Sequence, residues 1–453
     1  MLWVRVMLRT GWNRDFMASV GAVDKGDVLN GDKSDGSGRI ECGDTSGGLN
    51  QEELLGEVLE HVSRAFYLSI RVLPGKVRLP IGLGYLLARA ADTLADNPYV
   101  GTSERRADLG SWSRILRERR PTVQNRSFWE HLRLYVRENE AVADKLSGAG
   151  KLSGEGAVNR AKGCPLLAAA GLTRGEARLL ERLDDAYELY LHLDPFALEQ
   201  VNLVVQTLIS GMQLDLEFFP GAFRREAQLE QYTFLVAGCV GQFWSRITSH
   251  YLGAIEPEKL PEMEKLGVEF GKALQYVNVL RDMPKDLECG RLYVPLKDLE
   301  EFLPPVSDEV KKELFNHKEA LLPYIHKALE HFRAALHYIQ KTPKSAFLLR
   351  LSNIWPVAIG LGTLLEMVRS PHWPCFGQRV KVSRFWVYAM ILASTLLVWS
   401  NRALEFCFGY MEKLIDKAEK KILNKKVEDV PESGACTTEK APPLGATPAL
   451  CPG

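Results

Sequence analysis

The chain has 453 residues, 46% of them apolar and 25% charged, with 57 basic side chains against 57 acidic ones. That balance gives no extended positive field for a polyanion, so nucleic acid is not an expected partner and any basic site must be local. At roughly 150 residues per domain the length allows about three, but both ends lack hydrophobic period, and the remainder suits one large helical domain.

Residues 1–50 fall into two parts. The first twenty hold Arg5, Arg9 and Arg14 with one acid, Asp15. They lack the continuous apolar core and small-residue cleavage site of a secretory peptide, and read as an import signal or as an unstructured leader ahead of a start at Met17. The next thirty, rich in Gly, Asp and Ser, cannot bury enough apolar area to offset the entropy of ordering. Eight scattered cysteines show neither Cys-x-x-Cys nor paired Cys/His spacing, so neither a zinc site nor a disulfide framework is expected, and the thiols read as reduced.

From Glu52 the helix period takes over: Leu54, Leu55, Val58 and Val62, then Leu83, Leu86, Leu87 and Ala90, recur at three- and four-residue steps. Further predicted helices cover about 105–120, 126–145, 174–192, 196–218, 227–252, 262–285, 308–341, 344–368 and 380–422. The fold class is therefore all-α. Residues 147–165, rich in Gly, Lys and Ser, read as an exposed loop. The expected organisation is a disordered leader (1–50), a catalytic domain (51–425) and a disordered tail (426–453). Phe385 to Ser400 carries no charge, but a spanning helix needs about 20 apolar residues. This stretch is shorter, with Ser394 and Thr395 at its middle, so a buried terminal helix is expected rather than an anchor.

Two Asp-x-x-x-Asp pairs carry the chemistry: Asp92 with Asp96, and Asp282 with Asp286. Residues four apart share a helix face, where like charges repel unless a cation lies between them. One such pair alone would read as a solvated surface. Here each pair ends a strongly apolar run, and each has an arginine close by, Arg89 or Arg281. Paired carboxylates suit Mg²⁺, which keeps waters and is completed by substrate phosphates, with Mn²⁺ as a substitute. Guanidinium groups suit phosphate oxygens. Two diphosphate sites in an apolar helical cavity fit an isoprenoid diphosphate, whose ionisation leaves an allylic cation needing a dry pocket with aromatic faces. Phe66, Tyr85, Phe219, Phe243, Tyr276 and Trp355 are candidates to line it.

The segments SRAFYLSIRVLP (63–74), IGLGYLLARAADTLADN (81–97), LISGMQLDLEF (208–218), QYTFLVAGCVGQF (231–243) and LQYVNVLRDMPKDLECGRLYVP (274–295) resemble, in order and spacing, the signatures of the squalene and phytoene synthase family. The resemblance covers about 51–420, and its wording is nearest to bacterial-type squalene synthases. It implies an all-α prenyltransferase bundle around a central apolar channel and head-to-head joining of two farnesyl diphosphates. The expected product is squalene, with NADPH as reductant; phytoene, dehydrosqualene and hydroxysqualene are the alternatives.

Carried over by position, Asp92, Asp96, Asp282 and Asp286 would hold magnesium, with Gln275 and Asn278 lining the second site. Ser63, Arg64, Arg89, Arg281 and Arg291 would contact diphosphate, Phe66 and Tyr85 would lie near the cation, and Tyr232 would be the general acid/base. Lys381 and Arg384, in RVKVSR, would with Arg64, Arg89 and Arg281 contact the cofactors. The resemblance also implies a monomer, cytoplasmic and associated with a lipid bilayer surface, at the endoplasmic reticulum if eukaryotic.

Some positions depart from the family's pattern. Ala95 and Asn97 stand where animal and fungal members have acids, Ser383 replaces a basic residue, and Pro284 falls between the second pair. Proline either splays Asp282 from Asp286 or marks the last turn. A non-catalytic scaffold of the same fold would have lost these aspartates, and head-to-tail elongases and cyclases typically begin their first motif with adjacent acids, absent at position 92.

Overall fold

The computed structural model describes residues 51–63, 65–97, 100–148, 172–377 and 380–428. The leader, most of the 147–165 loop and the tail beyond 428 lie outside the described residues. After a π-helical turn at Leu54–Val58, the helices are α1 (Leu59–Ser63), α2 (Ala65–Arg71), α3 (Gly75–Asp96), α4 (Thr102–Glu118), α5 (Val123–Gly148), α6 (Arg174–Glu181), α7 (Leu183–Leu191) and α8 (Pro195–Phe218). They continue with α9 (Glu226–Thr233), α10 (Cys239–Leu252), α11 (Leu260–Glu288), α12 (Asp308–Glu313), α13 (Leu322–Lys341), α14 (Phe347–Arg369), α15 (Arg384–Leu397) and α16 (Asn401–Glu428).

Local chemistry sets several of these boundaries. Asp194 accepts the N–H groups of Phe196 and Ala197 at 3.1 and 3.2 Å, with Pro195 in the first turn, and so starts α8. Thr173 and Glu176 form a capping box on α6. The stretch expected as one helix over 308–341 is broken, because Pro323 lacks an N–H and fits only the first turn of α13. The 380–422 stretch likewise divides. Ser383 accepts the Trp386 N–H at 3.2 Å to cap α15, and Ser400 accepts the Ala403 N–H at 3.2 Å to start α16.

The central layer is α11, packed chiefly against α10 and α13, with α3 lying on α8. A Cβ on Gly241 would fall 1.8 Å from the Gly267 carbonyl oxygen, so α10 and α11 meet backbone to backbone. The strand content among the described residues is one parallel bridge, β1 (Gly221–Ala222) with β2 (Arg291–Leu292). It joins the loop after α8 to the loop after α11. The Gly221 and Phe223 N–H groups donate to the Gly290 and Leu292 carbonyls at 2.8 and 2.9 Å. Gly290 turns the chain at φ +74°, a conformation that favours glycine.

Two expectations fail. Cys289, at the end of α11, is disulfide-bonded, whereas Cys239, Cys375 and Cys407 are free thiols. And α15 is not buried: Phe385, Leu392 and Leu396 are 83, 67 and 74% exposed, and Trp399 in the turn after it is 51% exposed. The helix rests on α14 along one side and leaves the other bare. Among the described residues α14 is the helix long and apolar enough to cross a membrane, but most of it is covered by protein.

Candidate active site

The last three turns of α3 bring Tyr85, Arg89, Asp92 and Asp96 to the interior. Leu83, Leu86, Leu87, Ala90 and Leu94 are buried in the core and fix how the helix is turned. Arg89 is buried and forms ion pairs with Asp92 and with Glu176 of α6. Burial works against its charge, but those two carboxylates outweigh it and hold the guanidinium protonated. Tyr85 donates to the Val62 carbonyl at 3.3 Å, and burial pushes its hydroxyl well above the ordinary value.

The second half of the site hangs on the β1–β2 bridge, which fixes Arg291 and Tyr293 across from α3. Arg291 lies 3.1 Å from Asp215 of α8 and 3.8 Å from Asp96. Tyr293 donates to Asp215 at 2.5 Å and stacks on Tyr232, with ring centroids 4.8 Å apart. Asp92, Asp96, Asp215, Tyr232, Arg291 and Tyr293 share a cavity of about 30 Å³. Asp286, buried near the end of α11, adds its charge to the same place. Burial first, then Asp215 and Asp286 among other groups, drives the Tyr232 hydroxyl well above its usual range. Burial opposes the Arg291 charge, while Asp215, Asp96 and Asp286 among others hold it in place. One aspartate from each motif, Asp96 and Asp286, thus acts on one guanidinium.

Pro284 does not splay the second motif, because α11 continues through it to Glu288. The Leu280 carbonyl, which a residue with an N–H at 284 would satisfy, instead accepts the Trp373 indole N–H at 3.0 Å. One turn earlier Gln275 and Asn278 are fully buried and bonded to each other at 3.3 Å. Among the described residues Gln275 Nε2, Asn278 Oδ1 and Arg89 Nε find no partner. Buried polar groups are rarely left so, and such atoms ask for a ligand or ordered water. This oxygen-donor set with orphaned amides fits a magnesium–diphosphate site. Among the described residues no three His, Cys, Asp or Glu side chains already form a metal cage.

Other predicted residues stand elsewhere. Asp282 is bound by its neighbour Arg281 at 2.5 and 2.8 Å and is partly exposed. Ser63 donates to the Leu59 carbonyl of its own helix at 2.6 Å. Phe243 packs on Gly84, and Phe219 on Tyr293. Tyr276 turns away, donating to Glu230 at 2.6 Å, and Trp355 donates to Ser394 of α15 at 3.0 Å. Lys381 is exposed in the extended segment before α15. Arg64 and the side chains of Phe66 and Arg384 lie outside the described residues. Sequence reasoning missed Asp215, Tyr293 and Glu176. The signal for Asp215 was an acid four residues after Gly211, one turn on along the same face of α8, and for Tyr293 its place two residues after Arg291.

A bundle of this kind, with opposed aspartates around a closed interior, defines an all-α isoprenoid synthase fold. The family model described as squalene/phytoene synthase matches residues 59–151 and 156–386, and the chain belongs to that family. It is a prenyltransferase of isoprenoid biosynthesis. It is 22% identical over 338 residues to a 15-cis-phytoene synthase of Synechocystis sp., covering 73% of this chain and 80% of the relative. It is 27% identical over 284 residues to a presqualene diphosphate synthase of Zymomonas mobilis, covering 62% and 73%. A solved structure described as the complex of TcSQS with the ligand BPH1237 superposes with a TM-score of 0.57 at 19% identity, over 83% of this chain and 99% of that one.

Proposed function

We propose that the protein joins two molecules of farnesyl diphosphate head to head into presqualene diphosphate and, with NADPH, reduces that to squalene. The observation that carries this reading is that one aspartate from each motif, Asp96 and Asp286, acts on Arg291 beside Tyr232. Asp92, Asp96 and Asp286, with Asn278, would hold magnesium, and Asp282 would join them only if Arg281 turned from it to a diphosphate. Magnesium when bound would neutralise the diphosphate and make it a leaving group.

The chain's own residues supply the rest. Arg89 and Arg291 are held charged by carboxylates and would bind diphosphate oxygens as these depart. Burial and the nearby aspartates raise the proton affinity of Tyr232, which favours the acid side of its expected acid/base role, a hydrogen-bond donor to the departing diphosphate. The proton lost as the cyclopropane closes goes to the diphosphate itself. The apolar walls keep water from the cation. Reduction by NADPH rests on the RVKVSR resemblance around Lys381 and Arg384. We place the reaction at the cytoplasmic face of a membrane.

The name borne by the Synechocystis relative favours a second reading, condensation of geranylgeranyl diphosphate to phytoene. Purified protein given farnesyl or geranylgeranyl diphosphate, with and without magnesium and NADPH, separates them by the hydrocarbon formed. Presqualene diphosphate without reductant and squalene with it are expected. Preferential conversion of the longer substrate to phytoene, or turnover in excess chelator, overturns the proposal, and squalene formed without NADPH overturns its cofactor.

A further inference from the structure

Helix α9, which carries Tyr232, is tied down on both sides of that residue, and the tie before it is a carboxylate. Glu230 accepts the Lys272 Nζ–H at 2.8 Å and the Tyr276 O–H at 2.6 Å, both from α11, and lies 3.7 Å from Nε2 of His331 on α13. His331 first, with Lys272 and Tyr276, keeps the carboxyl ionised against burial, so the bonds it accepts are charge-assisted. Glu269, 2.5 Å from His331 and 3.6 Å from Lys272, completes a set of two carboxylates, one ammonium and one imidazole. None of these five residues lines the chamber of Asp92, Asp96 and Asp215.

The tie after Tyr232 is a π-helical turn, Phe234–Gly238, that follows α9 directly. A Cβ on Gly271 of α11 would fall 2.2 Å from the Ala237 carbonyl oxygen, so this turn is pressed against the α11 backbone. A π turn takes one residue more than an α turn, which rotates the helix before it relative to the helix after it, and such turns recur at functional sites. The rotation of α9 is therefore not inherited from α10 and has to be held locally. Residues two apart point to different sides of a helix. Glu230 faces α11 and α13, and Tyr232 faces Tyr293 and the chamber. On α11, Tyr276 stands between the fully buried Gln275 and Asn278, so the Glu230–Tyr276 bond joins the helix of the tyrosine to the helix of the buried amides.

We propose that Glu230 is a positioning residue for Tyr232: its contacts with Lys272, Tyr276 and His331 set the rotation of α9 and so aim the tyrosine hydroxyl at the departing diphosphate. The inference rests on the role proposed for Tyr232. A carboxylate that only held the bundle together would act on every part of the site alike. One that acts through Tyr232 loses its influence once the hydroxyl is gone.

The test is a double-mutant cycle in the purified full-length protein, reading diphosphate release with magnesium and whichever of farnesyl and geranylgeranyl diphosphate is converted faster. Tyr232→Phe should lower kcat about a hundredfold, and Glu230→Gln about tenfold. KM should change less than about twofold in each, because the lost interaction belongs to the transition state. Combined, the two substitutions should be no slower than Tyr232→Phe alone. Tyr276→Phe removes one of the ties and should cost about threefold, again with no further loss beside Tyr232→Phe; it carries the test should Glu230→Gln fail to fold. Losses that multiply in the double variants, an effect of Glu230→Gln confined to KM, or full activity in both Glu230→Gln and Tyr276→Phe overturns the positioning role and leaves Tyr232 in the chemistry. Wild-type turnover in Tyr232→Phe removes the tyrosine itself and overturns this inference with it.

Discussion

The two acidic motifs have the same spacing and the same place near the end of a long helix, yet the structure treats them differently. Asp92 and Asp96 belong to a closed set of charges, with Arg89 shared between Asp92 and Glu176 and Arg291 shared between Asp96 and Asp215. In the second motif Asp282 is held by the adjacent Arg281 near the surface, while Asp286 is buried, and the amides of Gln275 and Asn278 are left incompletely bonded. One motif is preorganised by the protein's own cations; the other keeps bonding capacity in reserve. Identical spacing fixes only which face the carboxylates share. What they do is decided by the neighbours that other helices bring.

The comparison breaks most sharply at the first motif. Asp92→Asn combined with Asp96→Asn should lower turnover by at least ~10²-fold while circular dichroism stays helical; unchanged product formation would remove these residues from the chemistry. Arg291→Met should separate the motifs by stability. It leaves Asp96 and Asp215 facing each other without their cation, and loss of one partner from a buried pair costs about 3–5 kcal/mol. Arg281→Met, at the more open Asp282, should cost well under half of that, and equal losses in chemical denaturation would erase the distinction.

A smaller effect is expected from Trp373→Phe, which keeps the ring but leaves the Leu280 carbonyl without a donor opposite Pro284. About 1–3 kcal/mol should be lost, with Asp286 function falling in parallel because the last turn of α11 loosens. A melting temperature unchanged from the wild type would show that the proline needs no such repair.

The smallest effect concerns a charge cluster apart from both motifs. His331 lies 2.5 Å from Glu269 and 3.7 Å from Glu230, which also binds Lys272. Burial pushes its imidazole down, but the two glutamates outweigh it and raise its affinity for a proton. Its contribution is therefore complete below the ordinary histidine value of 6.5 and is lost as pH rises through the higher folded value. Glu230 is held well below its usual range, by His331 first, and its share is present above 4.5 and lost as pH falls through the lowered folded value. His331→Gln should flatten the decline of melting temperature on the alkaline side; a profile as steep as the wild type's would refute the assignment.

Much of this site could be read from the chain, for identifiable reasons. Apolar periodicity gave α3 and α11, four-residue spacing put each Asp pair on one face, and Gln275 and Asn278 came from the family resemblance. Helix ends were less legible: Pro323 and Ser400 break continuous apolar patterns that a period alone runs together. Asp215 and Glu176 escaped because neither belongs to a spaced pair and the meaning of each lies in a partner from a distant segment. Which half of its acid/base role Tyr232 favours was hidden for the same reason, since its proton affinity depends on burial and on two aspartates from other helices. For α15, charge-free length suggested burial, but length does not say how much of a helix its neighbours can cover.

The bare contact between Gly241 and Gly267 limits what this interior can become. The chamber beyond it is walled by Trp244, Phe270 and Tyr338 together with those glycines, and two backbones already touching leave α10 and α11 no slack to move together or accept a side chain between them. Room for a longer hydrocarbon would have to come from paring down those aromatic walls, so variation in accepted chain length should map to Trp244 and Phe270 while the glycines stay fixed.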